Sequence, residues 1–255
     1  MEPYYEDDFA TIYHGDCREV LPALAGGGLV ADLAIADPPY AETSLKWDRW
    51  PSGWLSHVAE LTRSLWCFGS ARMFDTYAED FSGWHMSQDV IWDKETASTG
   101  GTVDRFVRSH EHVRHYYRGP WGEIHHEAQK VVVPWATKGR RVNRPATAKA
   151  WHGERGATTW EDDGTRYMLT VLRVDNLVKN ALHPTEKPAG VLLPLIAYGC
   201  PVGGLVIDPT SGSGSTLTAA RAIGRRAVGI EAREDYCEVA AKRLDQAVLD
   251  FGGVA

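Results

Sequence analysis

The chain has 255 residues, with 27 Lys and Arg against 34 Asp and Glu for a net charge of −7, and 44 % of its residues are hydrophobic. That length and composition make one large domain, or one domain with an insertion, and exclude disorder as the main state. Four scattered cysteines (Cys17, Cys67, Cys200, Cys237) without zinc spacing, acidic first residues, and no apolar run near the ~20 residues that cross a bilayer point to a cytoplasmic protein with no metal and no membrane span.

Taken along the chain, residues 11–14 read as a strand and 18–25 as a helix. The apolar run 30–36 (VADLAIA) is a strand that stops at Asp37, Pro38, Pro39 and Tyr40. A helix over 54–64 and strands over 65–68, 90–92 and 113–117 follow. Residues 119–180 break this rhythm, being rich in Gly, Pro, Thr, Arg and Trp with no sustained period, yet their tryptophans and the strand-like 131–133 argue that they pack. Then come a helix over 190–198, a strand over 204–207 ending at Asp208, a helix over 216–223, a strand over 226–230 and a helix over 233–248. Tyr236, Ala240, Leu244 and Val248 share one face of that last helix. Strands alternating with helices give a mostly parallel α/β sheet, divided into 1–118, an insertion at 119–180, and 181–255.

Charge is unevenly placed. Residues 1–48 hold two bases against ten acids, whereas residues 105–155 hold eleven bases against four acids. A basic stretch in an acidic chain suits a polyanion, since Lys and Arg gain by displacing phosphate counterions, and a solvated basic loop is the competing explanation.

The turn after residue 207 reads Asp208-Pro-Thr-Ser-Gly212-Ser-Gly214-Ser-Thr216 and runs from a strand into a helix. Glycines there admit a ligand close to the backbone at a helix N-terminus. No Lys follows Gly214, which removes a phosphate-binding P-loop, and Leu217 stands where a dinucleotide fingerprint needs its third glycine. Glu231 lies 19 positions beyond Gly212 at the end of the next strand, a distance at which an acid commonly holds ribose hydroxyls. A cationic sulfonium ligand needs no anion cradle, so an adenosyl group suits this turn.

In the Asp37-Pro38-Pro39-Tyr40 tetrad, two prolines fix an extended path and remove two N–H donors. The Asp37 carboxylate and the Pro38 carbonyl are then acceptors for the two hydrogens of an exocyclic base amine. Accepting both weakens conjugation of the nitrogen lone pair with the ring and aims it at an electrophile, while Tyr40 can stack on the base.

Together these motifs resemble the amino-directed DNA methyltransferases, which use S-adenosylmethionine and act on adenine N6 or cytosine N4. Further matches carry the resemblance: 12–20 (IYHGDCREV), with Asp16 and Cys17 at positions that contact the cofactor's adenine; 65–70 (LWCFGS); 91–94 (IWDK) with Arg108-Ser-His-Glu111; and 183–188 (HPTEKP), whose His183, Thr185 and Lys187 the resemblance places at the cofactor's methionine end. It covers about 11–244 apart from 119–180. The tetrad precedes the glycine turn by 171 residues, the order of the circularly permuted β group. The implied fold is a Rossmann-like methyltransferase domain, a mostly parallel sheet with helices on both faces and an inserted target-recognition region.

The resemblance implies a catalytic set of Asp37, Pro38, Pro39 and Tyr40. Its cofactor set is Asp16, Cys17, Asp37, His183, Thr185, Lys187, Asp208, Thr210, Gly212, Ser213, Gly214 and Glu231. Lys138, Arg140, Arg141, Arg144 and Lys149 are expected to hold double-stranded DNA. The expected reaction is site-specific methylation of adenine N6 by base flipping, with cytosine N4 as the alternative; the family's cytosine members favour Ser in place of Asp37. A nicotinamide oxidoreductase and an inactive DNA-binding module are remoter readings. A homodimer and a cognate restriction endonuclease are compatible partners. The sequence departs from the pattern at Ala41, where adenine members often carry Asn or another polar residue, and at Thr210, where Phe usually supplies a hydrophobic wall.

Overall fold

The computed structural model describes residues 1–94, 104, 106–133, 139–149, 153–175 and 186–251. In chain order these form β1 (Tyr5–Glu6), β2 (Ala10–His14), α1 (Cys17–Gly26), β3 (Leu33–Ala36), α2 (Trp54–Leu61), β4 (Ser64–Gly69), α3 (Ala71–Thr76), β5 (His85–Asp93) and β6 (His110–Tyr117). Six short strands follow: β7 (Lys130–Val132), β8 (Arg141–Arg144), β9 (Thr147–Lys149), β10 (Gly153–Arg155), β11 (Thr158–Glu161) and β12 (Thr165–Tyr167). The chain then runs through β13 (Val171–Arg173), α4 (Ala189–Gly199), β14 (Leu205–Asp208), α5 (Ser215–Ala222), β15 (Arg226–Glu231) and α6 (Glu234–Phe251). No described helix is long and apolar enough to cross a membrane.

Local chemistry sets several boundaries. The Asp16 carboxylate accepts the Arg18 N–H to open α1, and the Ser70 hydroxyl accepts the Met73 N–H to open α3. Periodicity predicts a helix over 54–64, but α2 stops at Leu61 because Thr62 turns extended at φ −149° and Ser64 enters β4. Thr62, Arg63 and Ser64 separate the last apolar residue of the helix from Leu65 of the strand, and this polar triplet marks the break.

The chain divides into two compact units, residues 1–127 with 170–255, and residues 128–169. In the first, nine strands lie in the order β1-β2-β15-β14-β3-β4-β6-β5-β13. The centre, from β2 to β4, is parallel, while β6 is antiparallel to both β4 and β5. Every residue of β3 and β4 is buried, as in a sheet covered on both faces. Ala34 and Ala36 pack with residues of α1, α2 and α3. On the other face Leu33 lies against Gly199 of α4, and the Trp66 indole donates to the Leu195 carbonyl.

Connections diverge at the middle of this sheet. From β14 the chain crosses through α5 to β15 on one side, and from β3 through α2 to β4 on the other. Between the carboxyl ends of β14 and β3 the strand order reverses, which opens a crevice suited to a ligand.

The second unit is built of antiparallel two-stranded ladders, β7 with β12, β8 with β11, and β9 with β10. It is narrower than the insertion read over 119–180. The chain up to Glu127 belongs to the first unit, and so does β13, whose residues 171–173 pair in parallel with residues 91–93 of β5. A three-residue strand carries too little periodicity to be seen in sequence; its partner makes it a strand.

Candidate active site

The C-terminal ends of β14 and β3 place the two sequence motifs side by side. Val206 and Ile207 pair with Leu33 and Ala34, so Asp208 and Asp37 emerge from neighbouring strands. Across the gap the Asp37 N–H donates to the Thr210 hydroxyl at 3.2 Å, a bond between residues 173 apart in sequence. The departure at Thr210 thus has a structural use, because Phe in its place has no acceptor for that N–H. The second departure, Ala41, stands at φ 56°, a left-handed conformation in which Asn is far commoner than Ala.

One cavity of about 670 Å³ opens there. Its lining unites Asp16 and Cys17, the tetrad Asp37 to Tyr40, Lys187, Asp208, Thr210, Gly212, Ser213 and Glu231. Gly214 is not part of that lining: at φ +76° it opens α5, and a Cβ there would stand 2.9 Å from the Cβ of Ala240 in α6. The left-handed backbone and this close approach both call for glycine there. His183 and Thr185 lie outside the described residues. So does Lys138, and of Lys149 only the backbone, in β9, is described. Arg140, Arg141 and Arg144 belong to the second unit and are exposed. The Arg144 guanidinium lies over the Trp160 ring, 5.3 Å from its centroid.

The cavity is acidic, and burial shapes its charges. Burial pushes the Asp208 carboxyl up to about 7, against bonds from Thr216 and from the Thr210 N–H, with the charges of Asp37 and Glu231 adding to the rise. Glu231 is raised by burial too, although its carboxylate accepts the N–H groups of Arg233 and Gly212, each at 2.9 Å. Asp16 is held down chiefly by Arg18, 2.5 Å away. Burial pushes the Cys17 thiol up to about 12, so it is no nucleophile at neutral pH.

Both oxygens of Asp37 are engaged. The Tyr40 hydroxyl donates to Oδ1 at 2.8 Å, and the Lys187 ammonium stands 2.6 Å from Oδ2. Behind Lys187 lies Glu111 of β6, and behind Glu111 lies Lys94. These last two residues, with Asp48, are members of the site that sequence reasoning did not assign. Glu111 and Lys94 sit in the quoted RSHE and IWDK segments, Glu111 in β6 and Lys94 just past the end of β5, and their membership of those segments was the available signal. Asp48 gives none: it is buried, and its carboxylate accepts the N–H groups of Ala41, Glu42 and Thr43, tying down the loop after the tetrad. Among the described residues no group of His, Cys, Asp and Glu could hold a metal ion.

A family model of DNA methylases, N6_N4_Mtase, matches residues 31–242, which include the strand before the tetrad and both turns. The chain belongs to this family. Among similar proteins, the type II methyltransferase M.ScaI of Streptomyces caespitosus is 26 % identical over 266 residues, spanning 96 % of this chain and 84 % of that one. The type II methyltransferase M.HinfI of Haemophilus influenzae is 25 % identical over 96 % of this chain and 70 % of its own length. Two solved structures share the fold. The M1.HpyAVI–SAM complex has a TM-score of 0.64 at 20 % identity, covering 92 % of this chain and 99 % of its own. The cytosine-N4-specific PvuII DNA methyltransferase has 0.64 at 14 %, covering 95 % and 88 %. The methylase is therefore a DNA methyltransferase whose tetrad and glycine turn share one crevice.

Proposed function

We propose that this methylase transfers a methyl group from S-adenosylmethionine to adenine N6 in duplex DNA. The observation that carries the reading is the Asp37 carboxylate lining the crevice, while the backbone N–H of Asp37 donates to the Thr210 hydroxyl of the glycine turn. An aspartate in the tetrad also favours adenine, since cytosine members favour Ser there.

The donor set fits an adenosyl sulfonium. Asp16, Asp208 and Glu231 line one cavity, an arrangement that attracts a cation, and the Gly212 N–H is engaged by Glu231 and does not face a phosphate. Glu231 would hold the ribose, Asp16 and Cys17 would lie near the adenine, and Asp208 near the amino group. When bound, S-adenosylmethionine supplies an electrophilic methyl.

The chain's own residues position the nucleophile. A target base leaves the DNA stack, at a cost of about a few kcal/mol, and lies over Tyr40. Its amine replaces the Tyr40 hydroxyl at Asp37 Oδ1 and gives its second hydrogen to the Pro38 carbonyl. With both hydrogens accepted, the lone pair would be free to take the methyl as its bond to sulfur breaks, S-adenosylhomocysteine being the leaving group; Asp37 would stabilise the positive charge developing on nitrogen and accept the surplus proton at Oδ1. Arg140, Arg141 and Arg144 would hold phosphates.

Incubation of unmethylated DNA with the protein and labelled S-adenosylmethionine, followed by digestion to nucleosides and mass measurement, tests the reading. N6-methyladenine is expected. N4-methylcytosine would overturn the adenine assignment, and unlabelled nucleosides would overturn the whole proposal.

A further inference from the structure

Asp37 is the end of a chain of alternating charges that runs into the sheet. The Lys187 ammonium stands 2.6 Å from Asp37 Oδ2 and 3.3 Å from Glu111 Oε2, and the Lys94 ammonium stands 2.5 Å from Glu111 Oε1. Side-chain exposure is 8 % for Lys187, 13 % for Glu111 and 22 % for Lys94, so the chain is largely out of water. Lys187 lies over the Phe68 ring, 5.1 Å from its centroid, and Lys94 over Trp92 at 4.7 Å. Burial alone raises the Glu111 carboxyl, but the two lysines outweigh it and hold Glu111 at about 2, fully ionised.

Buried ion pairs are an expensive way to stabilise a core, because desolvation consumes most of the attraction and apolar residues of equal volume do as well or better. A need for fixed orientation accounts for one that ends on the reacting group. Asp37 must offer one oxygen to a base amine in a defined direction, and a carboxylate free to rotate about its side-chain torsions does not. Pinning Oδ2 leaves Oδ1 aimed at the cavity, where the Tyr40 hydroxyl now sits. The aromatic faces of Phe68 and Trp92, with Glu111 behind, restrict where the ammonium can go.

We propose that Glu111 and Lys187 are positioning residues that orient Asp37 for the target amine, with Lys94 holding Glu111 in place. This rests on the reading of Asp37 as the amine acceptor, and it gives Lys187 a role at the target base instead of at the cofactor's methionine end.

The test is a cycle of Glu111→Gln, Lys187→Met and the double variant, following single-turnover methylation of unmethylated DNA, S-adenosylhomocysteine affinity and melting temperature. Glu111→Gln should slow transfer by about tenfold or more, since small misplacements of reacting groups cost up to about 10² in rate, with affinity for S-adenosylhomocysteine within about twofold. Glu111→Gln should cost nothing further in the Lys187→Met background, because Glu111 acts through Lys187. A purely structural role would lower melting temperature and affinity together and leave the losses independent. Wild-type rates in Glu111→Gln, independent losses, or affinity falling in step with rate would overturn the proposal. Should Lys187→Met not fold, Lys94→Met takes its place in the cycle, and Lys94→Met should then cost nothing further in the Glu111→Gln background, because Lys94 acts through Glu111. A wild-type protein that methylates no nucleoside would instead overturn the reading of function on which this rests.

Discussion

Asp208 carries a proton where an ordinary aspartate does not, and the cause is burial reinforced by the Asp37 and Glu231 charges. The sign of the resulting pH dependence follows from proton counting. Between about pH 4 and pH 7 the folded chain holds a proton on Asp208 that the unfolded chain has lost, so stability falls as pH rises through that window and stays low above it. At about 1.4 kcal/mol per unit, a rise from 3.8 to about 7 is worth up to roughly 4 kcal/mol. Asp208→Asn keeps the acceptor for the Thr210 N–H and removes the titration. Its melting temperature should exceed the wild type's at pH 8, with the gap narrowing towards pH 4. A cationic ligand beside Asp208 expels the proton, so calorimetric binding enthalpies at pH 6.5 should vary with the buffer's ionisation enthalpy. Asp37 answers to a different measurement: Asp37→Ala should abolish methyl transfer and leave affinity for S-adenosylhomocysteine largely intact, and turnover at the wild-type rate would remove it from the mechanism.

At the scale of elements, the loop after the tetrad depends on Asp48. Its carboxylate serves three backbone N–H groups that follow Tyr40, holding Ala41 in a left-handed conformation. Asp48→Ala strands those donors, and should cost about 1–3 kcal/mol by urea denaturation and slow transfer more than it weakens cofactor affinity, because Tyr40 adjoins the loop. A chain reader sees the tetrad but not its anchor, since Asp48 stands among Lys46, Trp47, Arg49 and Trp50 in a segment without period. The same limit applied to α2 and β13. Hydrophobic periodicity located α2 but not its end, where Thr62 leaves the helix, and it missed β13 altogether because three residues become a strand only by pairing with β5. Gly214 shows the converse: the glycine motif was legible, but its close approach to Ala240 of α6 was not, since that contact belongs to the packing of two helices.

For the whole molecule, the acidic first residues and the basic middle stretch separate along the chain, and the exposed Arg140, Arg141 and Arg144 fall within residues 128–169. If these hold phosphates, Arg141→Ala and Arg144→Ala should each weaken DNA binding uniformly across sequences and reduce the slope of log affinity against log salt by about 1. Fluorescence anisotropy with duplexes at several salt concentrations measures this, and an unchanged slope would return them to the solvated surface.

Two turns were legible from sequence because their chemistry is local: consecutive prolines set an acceptor-rich path after one apolar strand, and spaced glycines open a helix after another. Their meeting in one crevice was decided by the tertiary structure, since which strands become neighbours depends on pairing across some 170 residues and not on the run of either strand. β14 lies beside β3, and this brings the Thr210 hydroxyl to the Asp37 N–H. The charge chain behind Asp37 has the same origin. Lys94, Glu111 and Lys187 are ordinary charged residues in three separate segments, and their alignment exists only where those segments converge behind Asp37.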